Sequence, residues 1–240
     1  MELEDFLDEL NEKKNFKPLI IGFGELGTTI INKINMIEDY CFEAYLCNED
    51  NYNSILFNDN VMVVFVGNIN NQKNLELLIK TINKKSNDFN IAFLNGCMID
   101  KNIYAILDEN EIFNFDTCNV EQIIQIIKCF YDIYKHPGLI GVDYYDFKYL
   151  FKGKKNIYYY SLEGEDSINV ISKLMEISKD KLDSIDRAGL VFEFSHEKYG
   201  LSKLYQTINK FRESYKNIDI ICATIPNEDK DNILKINLFI

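Results

Sequence analysis

The run Val61-Met62-Val63-Val64-Phe65-Val66 contains no polar residue, and a short β-branched and aromatic stretch of this kind fits a strand covered on both faces. Such a strand requires helices on each side of its sheet, and the flanking sequence supplies them. Upstream, Pro18-Leu19-Ile20-Ile21-Gly22-Phe23-Gly24 reads as a second buried strand ending in a glycine turn, after which Leu26, Ile30, Ile31, Ile34 and Ile37 mark one helical face. A strand around Glu43 to Leu46 runs into Cys47-Asn48-Glu49-Asp50, and a helix near Leu75 to Ile82 and a strand at Ile91 to Leu94 continue the alternation. Strands alternating with helices predict an α/β fold with a Rossmann-like, doubly wound parallel sheet.

A long central helix is expected over 119–136. Val120, Ile123, Ile124, Ile127, Phe130, Tyr131 and Tyr134 keep a 3.6-residue stripe, Asn119 stands where it can cap, and Gln122 occupies the capping-box partner position. His136-Pro137-Gly138 must end it. Beyond it the pattern changes. Ile157 to Ser161 reads as a strand, Asp166 to Ser178 as a helix, Gly189 to Phe194 as a strand, and Leu201, Leu204, Tyr205, Ile208 and Phe211 as one helix face. Two closing strands, Ile218 to Ile225 and Ile233 to Ile240, are expected to pair antiparallel across the polar turn Pro226 to Asp231. In the last strand Leu234, Ile236, Leu238 and Ile240 alternate with Lys235, Asn237 and Phe239, which predicts one largely buried face. Ahead of everything, Leu3, Phe6, Leu7 and Leu10 describe an amphipathic N-terminal arm over 1–16.

Composition excludes several function classes. A formal net charge of −12 and a pI near 4.7 argue against sequence-independent nucleic-acid binding, which needs Lys and Arg to neutralise phosphates. No apolar run approaches the roughly 20 residues that span a bilayer, so direct membrane insertion is not expected. Met1-Glu2-Leu3-Glu4-Asp5 lacks the basic and apolar regions of a signal peptide, which points to the cytoplasm. The six cysteines, Cys41, Cys47, Cys97, Cys118, Cys129 and Cys222, show no C-x-x-C spacing and have only His136 and His196 to join them. They read as buried reduced thiols, with no metal site.

Two local patterns carry chemistry. Gly22-x-Gly24-x-x-Gly27 follows a strand and opens a helix, where backbone N–H groups can meet a phosphate. The competing reading is a tight turn with close helix-to-strand packing. Asp143 and Asp146 stand three residues apart just after the central helix. They read either as a pair of acid-base carboxylates or as caps of a following helix.

The segment Pro137-Gly138-Leu139-Ile140-x-Val142-Asp143-x-x-Asp146-Phe147, followed by Gly164-Glu165-Asp166 opening a helix and Arg187-Ala188-Gly189-Leu190-Val191 entering a strand, resembles the carboxy-terminal domain of FtsZ. The Gly22 to Gly27 turn is similar to the first nucleotide loop of that family, and Asn48-Glu49-Asp50 to its second. The resemblance to the FtsZ/tubulin superfamily covers nearly the whole chain. Beside the arm over 1–16 and the central helix over 119–136 it implies a reduced nucleotide-binding-like domain over 17–118 and an FtsZ-like α+β domain with a mixed four-stranded sheet over 137–240. It also implies GTP or GDP as the ligand, with Gly22, Gly24, Gly27, Asn48 and Gly67 as nucleotide contacts. Asp143 and Asp146 would then act in trans, orienting a water in the pocket of the next subunit.

Departures from the family pattern modify that expectation. Where the family has a Gly- and Thr-rich phosphate loop, Gly67 is followed by Asn68-Ile69-Asn70-Asn71-Gln72-Lys73-Asn74. Losing three charged hydrogen bonds removes roughly 4.5–9 kcal/mol, whereas a micromolar ligand holds only about 8.2 kcal/mol in total. Asn68, Asn70 and Asn71 could adopt positive φ and offer side-chain amides in a remodelled loop. Glu25 and Leu26 interrupt the first loop, and Gly141 replaces the usual Asn of the family. The interval from Leu94 to Asn119 is expected to be too short for the family's usual helix and strand, and no partner-recruiting tail is expected after the last strand.

The leading expectation is a divergent FtsZ-like cytoskeletal or division-associated protein with degenerate nucleotide loops, which associates longitudinally with itself or with an FtsZ-type protein. The alternatives are an active GTPase that hydrolyses GTP in trans on self-assembly and, resting only on the glycine turn with Glu49 and Asp50, a Rossmann-type NAD-binding protein.

Overall fold

The computed structural model describes residues 17–57, 62–84, 89–96, 99–116, 119–136, 138–195, 199–227 and 233–240. The arm over 1–16, Cys97, Cys118, Pro137, His196 and the turn at 228–232 lie outside them. The chain divides into two compact units, Met1–Tyr131 with Gly153–Ile157, and Asp132–Lys152 with Tyr158–Ile240.

In the first unit, strands β1 (Leu19–Phe23), β2 (Glu43–Leu46), β3 (Met62–Asn68), β4 (Phe89–Asn95) and β5 (Ile112–Asn114) form a parallel sheet in the order β2-β1-β3-β4-β5. The apolar run is its central strand, and Met62 to Val66 are all buried. On one face Leu19, Ile21, Phe23, Val63, Phe65 and Ala92 pack against Leu77, Leu78 and Ile82 of α2 (Gln72–Ile82) and Ile103 and Leu107 of α3 (Lys101–Glu109). On the other face, α1 (Gly24–Ile34) crosses β1, and Phe130 of α4 (Val120–Lys135) meets Phe89 at 5.5 Å and Phe115 at 6.1 Å. Each large apolar side chain buried in this way contributes about 1.5–3 kcal/mol. Asn119 caps α4 as its position predicts, its Oδ1 accepting from the N–H groups of Glu121 and Gln122 at 3.0 and 3.3 Å.

One expectation is corrected here. The interval from Leu94 to Asn119 does hold a helix and a strand, the nine-residue α3 and the three-residue β5. Asp100 starts α3 by accepting from the N–H groups of Asn102 and Ile103 at 2.9 and 3.1 Å, so no residues are spent on a longer approach.

The second unit is built on a mixed sheet of β6 (Tyr159–Gly164), β7 (Arg187–Phe194), β8 (Asp219–Pro226) and β9 (Leu234–Phe239), in the order β6-β9-β7-β8. β9 runs antiparallel to β6 and β7, and β8 parallel to β7. The closing strands therefore do not form a hairpin. β7 lies between them. Insertion between two partners gives β9 backbone pairing on both edges. Leu190, Phe192, Leu234, Ile236 and Leu238 pack on one face with α6 (Ser167–Ile177) and α8 (Leu201–Ser214), while α7 (Lys179–Leu182) is a single turn.

The opposite face differs from the sequence expectation. Glu193 Oε1 accepts from Lys235 Nζ at 2.7 Å and from Asn237 Nδ2 at 2.8 Å, and Asn237 Oδ1 accepts from Tyr159 Oη at 2.6 Å and Ser161 Oγ at 2.9 Å. Asn237 is fully buried and Glu193 is 8% exposed, so alternation in β9 marks two covered faces, one apolar and one that holds a buried polar cluster. Further along the same face lies α5 (Tyr144–Phe151), whose Phe147 and Phe151 meet Phe239 at 6.4 and 6.3 Å. The strand expected from Ile157 starts at Tyr159 instead, Ile157 making an isolated bridge to Phe115.

Candidate functional site

The C-terminal ends of β1 and β3 mark the point where the order of the parallel sheet reverses direction, the usual place for a ligand crevice in such sheets. The four glycines of the candidate nucleotide loops, Gly22, Gly24, Gly27 and Gly67, lie at these strand ends. Gly27 sits against β1, where an added Cβ would come within 2.6 Å of Gly22 C and 2.9 Å of Val66 O. Gly67 approaches the same strand, its Cβ position lying 2.4 Å from Phe23 O. Gly24 has φ +62°, the left-handed conformation that lets the chain turn directly from strand into helix. An added Cβ on Gly22 would lie 2.6 Å from Ile31 Cδ1 and 3.0 Å from the Gly27 backbone, so close packing and one positive φ account for each of these four glycines.

The start of α1 has a partner from another strand. Phe23, at the N-cap position, offers no side-chain hydrogen bond, and the Leu26 N–H instead donates to Asn68 Oδ1 at 2.6 Å. Asn68 Nδ2 donates to Asn95 Oδ1 at 2.5 Å, and Asn74 Nδ2 donates to Asn68 O at 3.0 Å. The Cβ position of Gly24 would lie 2.9 Å from Asn74 Nδ2. A carboxamide thus meets one of the N–H groups at the positive end of α1. Its dipole satisfies one orphan donor without carrying charge. Asn71 has φ −144° and caps α2, and among the described non-glycine residues Glu111 alone has positive φ. The asparagines act through their side chains, not through left-handed backbone.

Asn48 is turned inward on its own loop. Its Oδ1 accepts from the N–H groups of Asp50 and Asn51 at 2.9 and 3.0 Å, while its own N–H donates to Asn51 Oδ1 at 2.8 Å. Glu49 pairs with Lys73 at 3.1 Å, an exposed contact that leaves the lysine engaged beside the crevice.

The two carboxylates belong to the second unit and form a reciprocal capping box. Asp143 Oδ1 accepts from the Asp146 N–H, and Asp146 Oδ2 from the Asp143 N–H, both at 3.0 Å. One oxygen of each is committed to opening α5. Asp143 is exposed and Asp146 half-buried. Behind them, burial, reinforced by the Asp143 carboxylate, pushes the Tyr134 phenol far above its ordinary range. The far end of α5 is held by Arg187, whose guanidinium donates to Tyr149 O and, at 2.7 Å, to Lys152 O. The sequence singled out Arg187 as part of a motif, but the capping role becomes visible only with both segments placed. Thr224, which no sequence pattern marked, holds the loop before Asp143 through its side chain and backbone. Among the described residues no group of three or more His, Cys, Asp and Glu could hold a metal ion, and no helix is long and apolar enough to cross a membrane.

No family model matches the sequence, and no curated protein matches it. Solved structures do. An empty FtsZ dimer from M. jannaschii superposes with TM-score 0.65 at 13% identity, covering 100% of this chain and 92% of that one. CetZ from Methanosaeta thermophila gives 0.63 at 12%, covering 93% and 86%. A GTPγS-bound protofilament of CetZ2 from Haloferax volcanii gives 0.57 at 8%, covering 94% and 92%. A parallel five-stranded sheet followed by a mixed four-stranded one, matched along nearly all of its length at such low identity, gives this chain the FtsZ/tubulin fold in a highly divergent sequence.

Proposed function

We propose that this chain is a divergent FtsZ/tubulin-like cytoskeletal protein that works through longitudinal association of subunits and has largely lost nucleotide binding. The observation that carries the reading is the Asn68 carboxamide at the start of α1, braced by Asn74 and Asn95. A triphosphate would have to displace it and then find charge compensation where Lys73 is paired with Glu49 and Glu25 lies in the first turn of the helix. The loop carrying Asp143 and Asp146 is meanwhile built and presented, which suits a subunit that offers this face to itself or to an FtsZ-type protein. Similar structures solved as a dimer and as a protofilament support self-association.

The test has two arms. Purified protein should carry no nucleotide after acid extraction and show no thermal shift with millimolar GTP, since saturation at 100 times Kd would stabilise by about 2.7 kcal/mol. Mixed at equimolar ratio with FtsZ from the same organism, it should change GTP turnover or sedimentable polymer. Bound nucleotide or a clear shift would favour the second reading, an active GTPase, which the exposure of Asp143 keeps in view. No effect on polymer, together with no self-sedimentation, would refute longitudinal association.

A further inference from the structure

Residues Gly138 to Ile140 lie along the outer edge of β8 as a short added rung. Gly138 N–H donates to Thr224 O at 3.0 Å, and Thr224 N–H donates to Ile140 O at 2.9 Å. The Thr224 side chain repeats the contact, since Oγ1 accepts from the Ile140 N–H at 2.9 Å and lies 3.4 Å from Ile140 O as a donor. Gly138 has to be glycine for this approach, because an added Cβ would lie 2.4 Å from both Thr224 O and Thr224 Oγ1. Thr224 is 1% exposed and sits in register with Phe192 of β7, so it belongs to the sheet and not to the loop. From Ile140 only Gly141 and Val142 intervene before Asp143, whose own N–H is fixed by Asp146. A Cβ on Gly141 would have nothing within 4 Å, so the approach to the carboxylates is fixed at its two ends and open between them.

We infer that Thr224 is the positioning residue of this loop: its hydroxyl and backbone set the height at which Asp143 and Asp146 are offered to a second subunit. The inference rests on the association reading above for its consequence, although the clamp itself can be measured in the monomer. The hydroxyl is the separable part. Thr224→Val keeps both backbone bonds but removes the acceptor of the Ile140 N–H, whereas Thr224→Ser keeps the acceptor.

The experiment compares wild type, Thr224→Val and Thr224→Ser by residue-resolved amide exchange and by sedimentation. Thr224→Val should speed exchange of the Asp143 and Asp146 amides about five-fold while leaving those of α6 and α8 unchanged, and should cut sedimentable self-polymer by a similar factor. Thr224→Ser should stay within about two-fold of wild type in both. Wild-type exchange at Asp143 in Thr224→Val would overturn the inference, as would uniform acceleration across the unit, which would mark a general packing role. If wild type does not sediment alone or with FtsZ, the proposed function fails, and the exchange comparison still decides the clamp.

Discussion

Replacing Asn68 with alanine tests the internal cap of α1 directly. The substitution removes the acceptor of the Leu26 N–H at 2.6 Å and the donor to Asn95 Oδ1, both part-buried. Loss of a capping bond costs about 1 kcal/mol, and leaving the Asn95 oxygen without its donor costs about 1–2 kcal/mol more. The sum, about 2–3 kcal/mol, corresponds to a fall in Tm of about 4–12 °C for a chain of this length. Calorimetry on Asn68→Ala, Asn95→Ala and the double variant would measure it, with a coupling of about 1 kcal/mol expected between the two positions. Asn68→Asp separates the contributions. It keeps an acceptor for Leu26 and adds charge at the positive helix end, a gain of about 0.3–1 kcal/mol, but it loses the donor to Asn95 and should fall between wild type and alanine. A melting point for Asn68→Ala within about 1 °C of wild type, or no coupling with Asn95, would refute the internal-cap argument.

Gly27→Ala should destabilise by about 1–3 kcal/mol in urea unfolding, because its Cβ meets Gly22 and Val66 backbone, whereas Gly141→Ala should be neutral. Glu193→Ala strands the Lys235 ammonium beside buried Asn237 and should cost about 3 kcal/mol in the same assay, with part recovered in Glu193→Ala/Lys235→Met. Burial pushes the Cys222 thiol up to about 11, so iodoacetamide at pH 8 should label exposed Cys41 and spare Cys222 on peptide mapping. Because its folded-state pKa is raised from 9.0, the stability tied to that thiol is complete below about pH 9 and is lost as pH climbs through about 11, which alkaline melts should register.

The parts of this fold that could be read in advance are those whose signal is local. The apolar run of β3 and the stripe of α4 with its Asn119 cap are complete statements within one segment. The capping reading of Asp143 and Asp146 is also local, and the structure shows that capping box. What could not be read depends on distant partners. Asn68, Asn74 and Asn95 come from three elements, and nothing in any one of them announces a shared network. Lys235 and Asn237 look like solvent positions until Glu193 and Tyr159 are placed beside them. The helix and strand between Leu94 and Asn119 are not visible from typical element lengths, because the Asp100 cap starts a nine-residue helix directly before a three-residue β5.

The placement of β9 has a consequence for how the molecule is made. Translation supplies β6, then β7 and β8, and only afterwards the strand that must lie between β6 and β7. Until residues 234–239 arrive, the second sheet has a vacant slot at its interior, with β6 unpaired and one edge of β7 open. The first sheet is complete as soon as Asn114 has joined β4. Synthesis therefore gives a nascent chain whose leading half can close early, while its trailing half waits for a long-range pairing that is slow to form and exposes strand edges meanwhile. Chaperone dependence and misassembly should concentrate in that second half.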